Sequence, residues 1–320
     1  MKSHDEATDL DGFPAPRERD LPPGRHLRLK EHLLSEIREH ESETASAPAK
    51  GRRRWLRPSL AAGAVAAAVA AGLVVAQPFG GDSAEAGPPS KETVAMLEEI
   101  AAAARTSAPG EIRDDQFVYI KSKISYREHT EDSSGTPSSE LSAPRGREIW
   151  LSVDGKGTDV LHEPEKGLTY EPLKPEAVGE YDDHYRSLQK LPTDPVNMLD
   201  WLNRVAGEQT NGKPFVLIGD LARESLMPPK QAAAMYLAAT RIPGVELVDD
   251  AVDAVGRHGV AVSWEDDGER TDLIFDRKTK QFLGERTVET EGKPDVDKGE
   301  VSANTAVLER TVVDKAGQRP

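Results

Sequence analysis

Nineteen consecutive uncharged residues, Ser59 to Gln77, follow a flank that carries Arg52, Arg53, Arg54 and Arg57. As a helix rising about 1.5 Å per residue, Leu60 to Ala76 would cover about 26 Å, close to the ~30 Å hydrocarbon layer of a bilayer. Trp55 and Phe79 would then fall near the two interfaces, where aromatic rings are favoured. The pattern predicts a transmembrane helix over 58–78, with the arginine-flanked N-terminus cytoplasmic and the rest extracytoplasmic. Alanine supplies most of the run, so its insertion is weaker than that of a leucine-rich span. Ala84-Glu85-Ala86 also resembles a small-residue cleavage site, which leaves open a signal peptide. The 57-residue mixed-charge leader argues against that reading, and Gly51 to Leu56 matches a twin-arginine export signal only loosely.

The charge balance assigns different properties to the two sides of this run. Of 320 residues, 41 are Lys or Arg and 56 are Asp or Glu. The leader through Arg57 is nearly neutral, which leaves about −16 for the remainder. So acidic a segment argues against nucleic acid as its partner. There is no cysteine, which excludes disulfides, iron–sulfur clusters and cysteine-ligated zinc.

Periodicity divides the chain into domains. Residues 1–57 read as a mostly disordered cytoplasmic leader with one amphipathic helix over 23–40, whose Leu27, Leu34 and Ile37 form a candidate partner-binding stripe. Residues 79–89 are a tether. An extracytoplasmic domain follows over 90–313, then a disordered tail over 314–320. Within the domain, Ser90 is placed to cap a helix over 91–105. Strands are expected at 116–125 and 147–153, with a long Ser/Pro/Gly-rich hairpin loop over 126–144 and irregular chain over 167–192. Asp194-Pro195 starts a helix, and Pro228-Pro229 breaks a helical pair over 213–226 and 228–242. Turns at Asp266-Asp267-Gly268 and Asp276 to Thr279 make the closing strands an antiparallel meander. Hairpins without intervening helices exclude a doubly wound parallel sheet, so the fold class is α+β: a transmembrane helix plus an extracytoplasmic antiparallel sheet with packed helices.

Chemistry-bearing motifs are sparse. His162 and His184 lie beside Glu163, Asp182 and Asp183, a pattern open to acid/base or metal chemistry. None of the eight histidines shows the i, i+4 spacing of a helical zinc site. Ser225 lacks the glycine-flanked elbow of an exposed nucleophile and reads as helix surface. Trp150, Trp264 and Phe275 read first as core anchors and second as ligand-binding residues. No cofactor and no metal are expected.

Several segments carry a resemblance: LPPGRHLRLKEHLLSEI, the arginine flank with its alanine-rich run, Asp115 to Tyr119, Asp200-Trp201-Leu202 with Phe215 to Leu226, Arg241 to Val245, and Leu273 to Arg286. Together they resemble a family of actinobacterial single-pass membrane proteins of uncharacterised function. That resemblance implies the topology and an external α+β domain, with no activity. More remotely, Ile274 to Thr279 is similar to the half-barrel sheet of periplasmic lipoprotein carriers and periplasmic anti-sigma regulators, which concerns fold alone. The zinc-binding anti-sigma bundle is a poor match, because its cysteines are missing.

The expected function is a non-enzymatic, membrane-anchored protein whose outer domain binds an extracytoplasmic ligand or partner. Its partners would be the lipid bilayer and, through the leader helix, a cytoplasmic protein such as a sigma factor. The alternatives are a cell-envelope hydrolase using His162 and His184, and a secreted lipid or lipoprotein carrier.

Overall fold

The protein was analysed as a computed structural model, which describes residues 86–107, 110–131, 137–173, 182–209, 213–293 and 296–320. Ten strands, β1 (Phe117–Glu131), β2 (Pro137–Leu141), β3 (Arg145–Ser152), β4 (Asp159–Glu163), β5 (Leu168–Leu173), β6 (Glu246–Val252), β7 (His258–Asp266), β8 (Glu269–Phe275), β9 (Phe282–Glu289) and β10 (Val301–Val313), form one sheet. Its order is β5-β4-β3-β1-β10-β9-β8-β7-β6, and β2 pairs with the far end of β1. Every pairing is antiparallel. Among the described residues there are five α-helices, α1 (Lys91–Thr106), α2 (Tyr185–Leu188), α3 (Pro195–Gln209), α4 (Pro214–Glu224) and α5 (Pro229–Ala239).

Local chemistry sets the boundaries. Thr93 N–H donates to Ser90 Oγ at 3.1 Å, which satisfies one of the orphan donors at the start of α1. Asp194 Oδ1 accepts from the amides of Val196 and Asn197 at 3.0 and 3.1 Å and so caps α3. The β7–β8 turn needs two left-handed residues, supplied by Asp267 (φ 52°) and Gly268 (φ 75°), the geometry that matches strand twist in a two-residue hairpin.

Alternation along the strands splits the core. Val260, Val262, Leu273 and Phe275 face the helices and join Leu97, Ile100, Met198, Leu202, Phe215, Ile218 and Met235 in the main cluster. Val118, Ile120, Ile149, Leu151 and Val307 form a second cluster, into which Tyr185 packs. The opposite face carries two small clusters, Tyr119 with Trp150 and Val313, and Ala251 with Ala261 and Ile274.

These features correct the expected fold class. Strands make up 38% of the described chain and helices 28%, so the domain is dominated by one open antiparallel sheet. No helix among the described residues is long and apolar enough to cross a membrane. The longest, α1, has 16 residues and buries only Thr93, Leu97, Ile100 and Ala101, one face of an amphipathic helix. The expected span at 58–78 and the amphipathic stretch at 23–40 both lie outside the described residues.

Three smaller expectations also change. Where a long loop was expected over 126–144, β1 runs on to Glu131 and β2 pairs back along it from Arg127↔Leu141 to Glu131↔Pro137. The irregular stretch after Gly167 contains β5, whose exposed residues show no apolar alternation. The expected disordered tail instead packs on the sheet: Trp150 Nε1 donates to Gln318 O at 2.6 Å, and Arg319 forms a bidentate pair with Glu148 at 2.8 and 2.6 Å.

Candidate functional site

A cleft of about 610 Å³ opens where the end of α1, the short α2 and the start of α5 meet. Arg105, Tyr185, Gln189, Thr193, Pro228, Pro229, Lys230 and Gln231 line it. Pro228 and Pro229 set its wall, since proline fixes φ and suits the first helical turn, where an N–H would be unpaired. Gln231 Nε2 donates to Gln189 O at 2.8 Å and ties α5 to the segment after α2. Arg105 and Lys230 are exposed at the rim, and neither forms an ion pair among the described residues. Among the described residues the lining contains no carboxylate and no histidine.

The ionisable groups that burial perturbs lie elsewhere, in a network between α4 and the sheet. Arg147 on β3, 3% exposed, reaches Glu163 at 3.1 Å and Glu224 at 2.7 Å. Arg223, also 3% exposed, binds Asp220 at 2.7 Å, Glu224 at 2.9 Å and Glu285 on β9 at 2.9 Å. Burial alone would raise the Glu224 carboxyl, but Arg147 and Arg223 outweigh it and hold the group down at about 2. Glu285 goes the other way. Burial pushes it up to about 7 against the pull of Arg223, with Asp220 and Glu224 adding to the rise. Gly219 makes room for it, because a Cβ there would stand 2.4 Å from Glu285 Oε2.

The two histidines do not meet. Leu161 pairs with Ile149 on the helix-bearing face, whereas His162 pairs with Glu148 on the other. His162 stacks on Tyr170 with centroids 4.5 Å apart and lies 4.0 Å from Glu148. Its neighbour Glu163 lies on the helix-bearing face, where it pairs with Arg147 of β3. His184 is clasped on both ring nitrogens, by Asp159 at 2.9 Å and by Asp182. Desolvation would lower its pKa, but hydrogen bonds to Asp159 and Asp182, with the charges of Asp159 and Asp183, raise it to about 9. Asp182, Asp183 and His184 offer ligand atoms within 4.8 Å of one another. With both ring nitrogens engaged by carboxylates, the imidazolium of His184 is held as an ion-pair partner.

Trp150 is fully buried against Tyr119 and Tyr170, with ring centroids at 5.2 and 5.7 Å. Phe275, 1% exposed, packs edge-on to Tyr236 and Phe282. Trp264 covers Phe215 and donates to Pro243 O at 3.2 Å. None of the three lines the cleft. Leu27, Leu34 and Ile37 lie outside the described residues. Ser225, expected on the surface, is fully buried and donates to Leu221 O at 2.7 Å. The Arg223 network escaped sequence reading, although Phe215, Ile218, Gly219, Ala222 and Arg223 share one helical stripe. A cation on that stripe has to be paired once the helix docks.

No family model matches the chain, and no curated protein sequence matches it. Among solved structures it is similar to that described as "Crystal structure of MucB", with 14% identity and a TM-score of 0.25. The match covers 72% of this chain and 62% of MucB, so the chain spans less than two thirds of that protein's length. Similarity at this level determines neither fold nor function.

Proposed function

We propose that the described domain is a non-enzymatic binding module that works outside the cytoplasm and receives an acidic segment of a partner protein in the cleft between α1, α2 and α5. The observation that carries this reading is the division of labour among charged groups. The cleft is lined by two cations without ion pairs among the described residues, amides, a hydroxyl and a tyrosine, while perturbed carboxylates such as Glu224 and Glu285, and the imidazolium of His184, are committed to internal pairs. Catalysis by acid and base needs such groups at the open site with a titration point near working pH. Binding needs complementarity, and Arg105 with Lys230 on a chain of net charge −15 favours an acidic partner segment at this place. The basic-flanked apolar run at 59–77 is in line with an extracytoplasmic location. The finer reading is a signalling one, in which the stretch at 23–40, with Leu27, Leu34 and Ile37, engages a regulatory protein such as a sigma factor.

The test is a photocrosslinking amino acid placed at Thr193 in the full chain, in its native cell. A discrete protein adduct that disappears in the Arg105→Glu, Lys230→Glu double variant is the expected result. An adduct indifferent to the charge reversal, or none, refutes the cleft as the binding surface. Loss of function in a folded His184→Ala variant would refute the non-enzymatic assignment.

A further inference from the structure

The face of the sheet that carries no helices holds a groove already filled by a peptide, the chain's own residues 316–320. Its floor is Trp150, fully buried, with Tyr119 on one side and Tyr170 on the other. Three recognition elements converge there. The indole N–H of Trp150 donates to the carbonyl of Gln318 at 2.6 Å. Glu148, 7% exposed, accepts both guanidinium donors of Arg319 as well as the Tyr119 hydroxyl. Ala316 packs on the Tyr119–Trp150 cluster, and Gly317 lies against Tyr170, where a Cβ would make ordinary contact at 3.5 Å. Gly317 has φ 78°, a conformation that glycine adopts without the strain other residues incur.

The groove therefore has a definite preference: a small residue against the aromatic faces, a free carbonyl for the indole, and a guanidinium two positions after the glycine. The bidentate fork favours arginine over lysine. The internal occupant is only partly enclosed. Arg319 is still 51% exposed, and Ala316 and Gly317 present little apolar surface. We propose that this groove is a docking surface for an arginine-bearing extended segment of another protein, with residues 316–320 acting as the internal occupant that must be displaced. This surface lies on the opposite side of the sheet from the helical cleft, so either can fail without the other.

The test uses the full chain and a fluorescent peptide of residues 314–320, DKAGQRP, read by anisotropy. A tethered competitor acts at roughly millimolar effective concentration, so wild type should bind the free peptide weakly. Arg319→Glu evicts the tail by setting its carboxylate against Glu148, and should tighten peptide binding at least ~10-fold. Adding Glu148→Gln to that variant, or replacing the peptide's arginine by lysine, should weaken it again by a similar factor. Circular dichroism and melting of each variant establish that it is folded. As an independent readout, excess peptide should accelerate hydrogen exchange at the tail amides of the wild type. Equal peptide affinity in all variants overturns the proposal, as does tail exchange unaffected by peptide. Wild type that is dimeric and becomes monomeric on Arg319→Glu also overturns it, because the groove would then serve tail exchange between copies.

Discussion

Glu285→Gln is the substitution that most directly probes the buried charge network. The Glu285 side chain is 11% exposed, and burial displaces its carboxyl from 4.5 to about 7. Raised in this way, the group binds its proton more tightly in the folded than in the unfolded chain. The stability it confers is therefore fully present below pH 4.5 and is lost as pH rises through about 7. A displacement of that size corresponds to about 3 kcal/mol. Glutamine keeps an acceptor for Arg223 Nη1 and the same volume, but never ionises. In urea unfolding followed by tryptophan fluorescence, the two proteins should be of similar stability at pH 5. The variant should pull ahead by up to about 3 kcal/mol at pH 8. Glu224, held at about 2, contributes with the opposite sign and only below pH 4.5, so it drops out of this window. A difference between variant and wild type that stays constant from pH 5 to pH 8 would show that Glu285 ionises normally and that its environment has been misread.

His184→Asn should flatten a second pH dependence. The raised imidazolium (6.5 to about 9) stabilises fully below pH 6.5 and fades as pH climbs towards 9, on the order of 2 kcal/mol after discounting for the half-exposed Asp182. Gly284→Ala would place a Cβ 2.1 Å from the backbone oxygen of Thr305. The displacement of β9 from β10 should cost at least ~3 kcal/mol, whereas Gly292→Ala, with open space around it, should melt like wild type; equal melting of the two would refute the close approach. Ser90→Ala should cost about 1 kcal/mol through loss of the α1 cap, and hydrogen exchange confined to the first turn of α1 would localise the effect.

Local features proved readable and long-range ones did not. Ser90, Asp194-Pro195, Pro228-Pro229 and the Asp267-Gly268 turn carry their chemistry within a few residues, and the elements they delimit lie where the sequence places them. The β1–β2 ribbon was hidden because Ser, Pro and Gly between residues 132 and 144 mask a strand with little apolar content. The placement of β10 between β1 and β9 has no local signature. The same holds for the site. The cleft gathers Arg105, Gln189 and Lys230 from segments spread over more than 120 residues, and the separation of His162 from His184 follows from strand parity at β4. The tail looked disordered because its partners Glu148 and Trp150 lie some 170 residues upstream.

The position of β10 has a consequence for how the protein is made. Both halves of the sheet, β1 to β5 and β6 to β9, leave the ribosome before the strand that joins them, and each waits with an open long edge, β1 on one side and β9 on the other. Ten residue pairs between β1 and β10, from Phe117↔Val313 to Tyr126↔Ala303, span most of the described chain. The seam can close only after β10 itself has been made. Until then the nascent chain presents two unpaired strand edges of the kind that recruit other chains, and deletions within 301–313 should be far more damaging than loss of residues 314–320.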